Sequence, residues 1–128
     1  MKHPSKLQCA SLIVPVVYDG RAISFERSSV GEKYTVTVTE DGRDGVMWWF
    51  SGGINQLRTG YAWGKAYDGN TGEKWYICHN KKKDIADFLL FVDANIFASN
   101  RPSGEEYTSL LEEACKRFTE LVRADEEE

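Results

Sequence analysis

The stretch Val16-Val17-Tyr18-Asp19-Gly20-Arg21-Ala22-Ile23 sets the fold class from its centre outward. A two-residue Asp-Gly loop between apolar runs specifies a type I′ hairpin, because both turn positions need a positive φ. The flanking strands are predicted over residues 10–18 and 21–27. Pro15 has no amide hydrogen, which places the first strand at a sheet edge or at a bulge.

The pattern that follows is also β. Tyr34-Thr35-Val36-Thr37-Val38-Thr39 alternates strictly, with Tyr34, Val36 and Val38 on one face and three threonines on the other. Such alternation is the mark of an antiparallel strand with one face wet. Glu40-Asp41-Gly42-Arg43-Asp44-Gly45 reads as a turn. Val46-Met47-Trp48-Trp49-Phe50 has no alternation, as in a strand covered on both faces. A further hairpin is predicted over residues 61–67 and 73–79. The decapeptide Ala66-Tyr67-Asp68-Gly69-Asn70-Thr71-Gly72-Glu73-Lys74-Trp75 resembles the turn repeated in quinoprotein β-propellers, one residue shorter before the Trp. It occurs once, whereas a propeller needs many copies, so it contributes turn chemistry only.

The period then changes from two to 3.6. Ile85, Phe88, Leu89, Val92 and Ile96 recur at helical spacing, and Leu90, Phe91, Ala94, Phe97 and Ala98 fill other sides. A helix this apolar, spanning residues 81–99, should be mostly buried. Asp93 falls between the Leu89 and Phe97 directions, and a salt bridge to a strand Lys or Arg is its expected lot. Asn100-Arg101-Pro102 breaks the helix. Ser103-Gly104-Glu105-Glu106 has the form of a capping box. It opens an amphipathic helix over residues 103–125, with Tyr107, Leu110, Leu111, Ala114, Phe118, Leu121 and Val122 as its stripe. The acidic tail 125–128 should fray. Strands first and helices last make one α+β domain over residues 1–128, a mainly antiparallel sheet of five or six strands packed by two helices. A strongly curled or partly closed barrel is the alternative.

Composition narrows the classes. The chain has 128 residues, 41% hydrophobic and 28% charged, which suits one folded domain. Cys9, Cys78 and Cys115 are odd in number and widely spaced. That argues against a disulfide framework and a zinc motif, and points to a reducing, cytoplasmic setting. No apolar run approaches a membrane span. The net charge of −4 is uneven. Residues 1–83 hold 12 Lys/Arg against 8 Asp/Glu, while residues 84–128 hold 4 against 12. An excess of +4 over the β half is small for an extended nucleic-acid surface, which is therefore not expected.

No HExxH, GxSxG, P-loop, GxGxxG or EF-hand pattern is present, so neither metal, cofactor nor catalytic set is expected. Two segments carry candidate ligand chemistry. The loop of residues 51–64 mixes glycines and amides with Asn55, Arg58, Tyr61 and Trp63, residue types that serve close approach, anion contact and stacking. The corner Cys78-His79-Asn80-Lys81-Lys82-Lys83 opens a helix, with Asn80 or Asp84 as its cap, and His79, Lys81, Lys82 and Lys83 describe an anion site or a solvated basic turn. Surplus rings at Trp48, Trp49, Tyr67 and Trp75 are candidates for protein contact. So are Glu112, Glu113 and Glu120 on the acidic helix. Three functions are compatible with this inventory: a non-catalytic interaction or regulatory module that self-associates or binds a protein, a binder of a small anionic ligand such as a nucleotide, and a small inhibitor from a virus or mobile element that presents acidic helices to a nucleic-acid enzyme.

Overall fold

A computed structural model describes residues 11–31, 33–41, 45–72, 74–76 and 81–126. The strands are β1 (Ser11–Tyr18), β2 (Arg21–Val30), β3 (Lys33–Asp41), β4 (Val46–Gly53), β5 (Trp63–Asp68) and β6 (Lys74–Tyr76). The helices are a short α1 (Ile54–Arg58) between β4 and β5, then α2 (Lys82–Asn95) and α3 (Glu105–Glu126). The strands form one antiparallel meander in the order β1-β2-β3-β4-β5-β6. It is open, with β1 and β6 at its two edges.

The Asp-Gly hairpin forms as read. Asp19 has φ 53° and Gly20 φ 76°, and Tyr18 pairs with Arg21. In a two-residue hairpin that flanking pair exchanges both hydrogen bonds, and every second pair along the ladder repeats it. Pro15, opposite Ser24, falls on an alternate pair, so its missing donor is on the open edge and the ladder loses nothing.

Register sorts the side chains onto two faces. Val16, Ile23, Val38, Phe50 and Ala66 lie on the inner one, which both long helices cover. Phe50 is fully buried there. Its ring lies 6.3 Å from Phe88 of α2 and 4.9 Å from Phe118 of α3, both edge-on. Trp48 points the same way and is 7% exposed, whereas Trp49 is on the outer face. The alternation in β3 runs two residues further than the sequence suggested. Glu40 and Asp41 are strand, not turn, and Glu40 is buried beside Arg21, Oε2 to Nη1 3.3 Å.

Both helices start later than expected, and α2 also stops early. The α2 cap position is Lys81, without a side-chain cap bond, and Asp84 is in the first turn. At its other end Asn95 Nδ2 donates to the Phe91 carbonyl and the Tyr107 hydroxyl donates to the Ile96 carbonyl. The second bond satisfies a carbonyl that a further turn would have used, just past the point where the helix ends at Asn95. The carbonyl of Gly104, at φ 68°, accepts from the Thr108 amide, so α3 begins at Glu105 and not at a box built on Ser103. Asp93 is paired as expected, Oδ1 3.0 Å from Arg27 Nε of β2.

Among the described residues no helix lies on the outer face. It carries Ile13 and Val17 of β1, the threonines of β3, Met47 and Trp49 of β4, and Trp63, Lys65 and Tyr67 of β5. No described helix is long and apolar enough to cross a membrane.

Candidate ligand-binding site

The site grows from one glycine. At the end of β4, Gly52 points inward, and a Cβ there would collide with the Leu57 side chain. Having none, it lets Leu57 lie flat, fully buried, and α1 folds back over the end of the sheet. The Gly53 amide donates to Gln56 Oε1 at 3.4 Å. The exit is closed by the amides of Thr59 and Tyr61 on the Gln56 carbonyl and of Gly60 on that of Leu57, with Gly60 at φ 82°. Asn55, Gln56 and Arg58 are thereby left on the solvent side of the turn.

Beside this turn is an open cavity of about 790 Å³. One wall is Ser51, Gly52 and Gly53 with Asn55, Gln56 and Arg58; the other is Arg27, Lys33, Tyr34 and Thr35 at the far end of β2 and β3; Trp63 of β5 closes it. Among the described lining residues three are cations and none is an acid. Arg27 is partly neutralised by Asp93, in a contact whose geometry is that of an ion pair and not of an in-line hydrogen bond. Its guanidinium lies 5.1 Å from the centre of the Tyr34 ring. Lys33 and Arg58 have no ion pair among the described residues. Tyr34 is 49% exposed and Trp63 41%, so both rings are presented to the cavity side and to water.

Of the candidates, Asn55, Arg58 and Trp63 meet here. Tyr61 goes elsewhere: the Lys82 ammonium sits 4.5 Å from its ring centre. The lysine corner does come close to the loop. Lys83, Asp87 and Leu90 share a smaller depression of about 290 Å³ with Arg58 and Gly60. Its lysines are engaged, however. Lys83 Nζ is 2.8 Å from Asp87 Oδ2, a bond that raises its pKa, and Lys81 is buried. His79 lies outside the described residues, and of Trp75 only its place in β6, opposite Ala66, is described. Tyr67 is half-buried on the outer face. Trp48 is consumed by the core. On α3, Glu112 and Glu120 are exposed, while Glu113 is held by Arg117 Nε at 2.8 Å, which keeps its carboxyl below the usual range.

Sequence reasoning missed Arg27, Lys33 and Tyr34. Tyr34 was legible as a residue on the Val36 and Val38 face. That it stands at the end of the sheet is a matter of register, since its neighbour Thr35 pairs with Gly53, the last residue of β4.

The described residues hold no group of three or more His, Cys, Asp or Glu placed to grip a metal ion. Cys115 is no nucleophile, since burial, followed by the charges of Glu112 and Glu40, pushes its thiol up to about 12. The arrangement has the chemistry of attraction and stacking, with cations at the rim and flat rings beside them. Compared with protein-family models, curated proteins and solved structures, the chain matches nothing.

Proposed function

We propose that the chain is a non-catalytic binding module whose cavity takes a small anionic ligand carrying a flat ring, such as a nucleotide. One observation supports this most. Lys33 and Arg58, with Arg27 behind them, share a cavity with the rings of Tyr34 and Trp63 and, among the described lining residues, with no carboxylate. A phosphate meets the cations while a base meets a ring, and the amides of Asn55 and Gln56 offer donors and acceptors to its edge.

The test is a thermal shift across a nucleotide panel. A ligand at about 100 times its Kd stabilises the folded chain by about 2.7 kcal/mol. Removing a charge-assisted hydrogen bond costs about 1.5–3 kcal/mol, so Arg58→Ala should weaken binding by about 10- to 100-fold. Lys82→Glu, whose residue faces Tyr61 outside the cavity, should do far less. A panel without a shift removes the proposal.

A second reading rests on a separate patch. Leu12, Ile13 and Val17 of the edge strand β1 are 58%, 60% and 79% exposed. Leu12 faces the inner side and Ile13 and Val17 the outer one, and apolar side chains exposed along an open edge strand are the kind of surface a protein partner or a second copy covers. Light scattering at about 100 µM, a concentration that populates even complexes of micromolar Kd, should show a dimer that Ile13→Lys with Val17→Lys dissociates. A wild-type monomer at that concentration counts against self-association.

A further inference from the structure

We infer that the cavity is one end of a short single-stranded nucleic-acid site, which continues from it across the open face of the sheet along β4 and β5. The inference rests on the reading of the cavity as an anion site and names the class of ligand.

Continuity is the first ground. Thr35, Ser51 and Trp63 line the cavity and also belong to the outer face, so the cavity reaches that face. The second ground is what comes next along it. Lys65, two residues beyond Trp63, pairs with Trp49 across the ladder. Its ammonium lies 4.6 Å from the Trp49 ring centre and 5.6 Å from that of Trp63. Two indoles and a cation thus form a diagonal strip on the face that no described helix covers. Open sheet faces with rings and cations are a recurring platform for single strands, because every base has a π-face and every link a phosphate. Beside the strip the hydroxyls of Thr37 and the buried Ser51 are bonded to each other, 3.1 Å apart, and hold β3 to β4.

Charge fixes the path and its length. Among the described residues the acids of the outer face are on the neighbouring strands: Glu26 of β2, bonded by the Ser11 hydroxyl at 2.6 Å, and Asp41 of β3, opposite Met47. They repel phosphate from β2 and from the far end of β4. The strip therefore accommodates about three nucleotides, one at the cavity and one on each indole. This is a short site, compatible with a chain of net charge −4 that has no long basic stripe.

The experiment is fluorescence anisotropy on the full chain. A 5′-fluorescein hexamer of deoxythymidine is the probe, and thymidine monophosphate is titrated as competitor. The hexamer should bind at least tenfold tighter than the mononucleotide. Trp49→Ala should lose about tenfold of hexamer affinity and leave mononucleotide affinity unchanged, since a stacked base contributes on that order. Arg58→Ala should weaken both. Log K against log salt should fall with a slope of about −2, from Lys33, Arg58 and Lys65, and Lys65→Ala should reduce that slope by about 0.7. If the mononucleotide binds and the hexamer binds no tighter, the sheet-face inference falls and the cavity reading stands. If neither binds, both fall. Hexamer binding insensitive to both Trp49→Ala and Lys65→Ala overturns the inference. So does a dimer in light scattering that Trp49→Ala dissolves, which would give the face to a second copy.

Discussion

Phe50→Ala is expected to destabilise the fold by about 3–5 kcal/mol, read as a lower urea midpoint at unchanged m-value. That is a large part of the roughly 5–15 kcal/mol holding a domain of this kind together. The size follows from position. Phe50 is fully buried, lies opposite Gly64 in β5, and has edge-on contacts with a ring from each long helix. Gly64 has no side chain with which to refill the space, and Val38 on the other side is itself fully buried. The cavity would stay open, and cavities that cannot collapse give the largest losses. Trp49→Ala, one residue earlier and half-buried on the face that no described helix covers, should cost less than Phe50→Ala, since its ring keeps contact with water. A loss below about 1 kcal/mol for Phe50→Ala would mean that the helices do not meet the sheet through this ring.

That contrast between adjacent residues shows what the sequence discloses. The Asp19-Gly20 turn, the alternation from Tyr34 to Thr39 and the helical spacing from Ile85 to Ile96 each result from local chemistry, and all three are read directly from the chain. The split of Trp48 from Trp49 also follows, since neighbours on a strand face opposite ways. Which of the two faces is left open does not follow, because it depends on both helices docking on one side. The lack of alternation from Val46 to Phe50 suggested two covered faces, yet the described helices cover only one. Glu40 illustrates the same limit. Its place in a run of turn-forming residues hid that it continues β3 and meets Arg21 across the sheet. The cavity is still less local. Arg27 and Arg58 are 31 positions apart, and only the register of β2, β3 and β4 brings them to one rim.

The second large effect concerns the joint on which that rim depends. Gly52→Ala should cost about 1–3 kcal/mol, the range for overpacking a filled site. The added methyl would collide with the Leu57 Cδ2 atom and stand 3.2 Å from its Cγ, while the Tyr61 carbonyl oxygen is 3.6 Å away on the exit side. Leu57→Ala alone should cost about 2–5 kcal/mol by leaving a void. Combined, the methyl of one variant occupies space vacated by the other. The double variant should therefore be less damaged than the sum of the two by about 1 kcal/mol or more, a coupling that residues in contact can show. Ligand affinity offers an independent check, because α1 carries Asn55 and Arg58 to the cavity. Gly52→Ala should weaken nucleotide binding without touching any group proposed to contact the ligand, and Leu57→Ala added to it should restore part of the loss. Strictly additive stabilities would show that Leu57 is not seated on Gly52. The short helix would then be held in place by other contacts, such as those at Thr59 and Gly60.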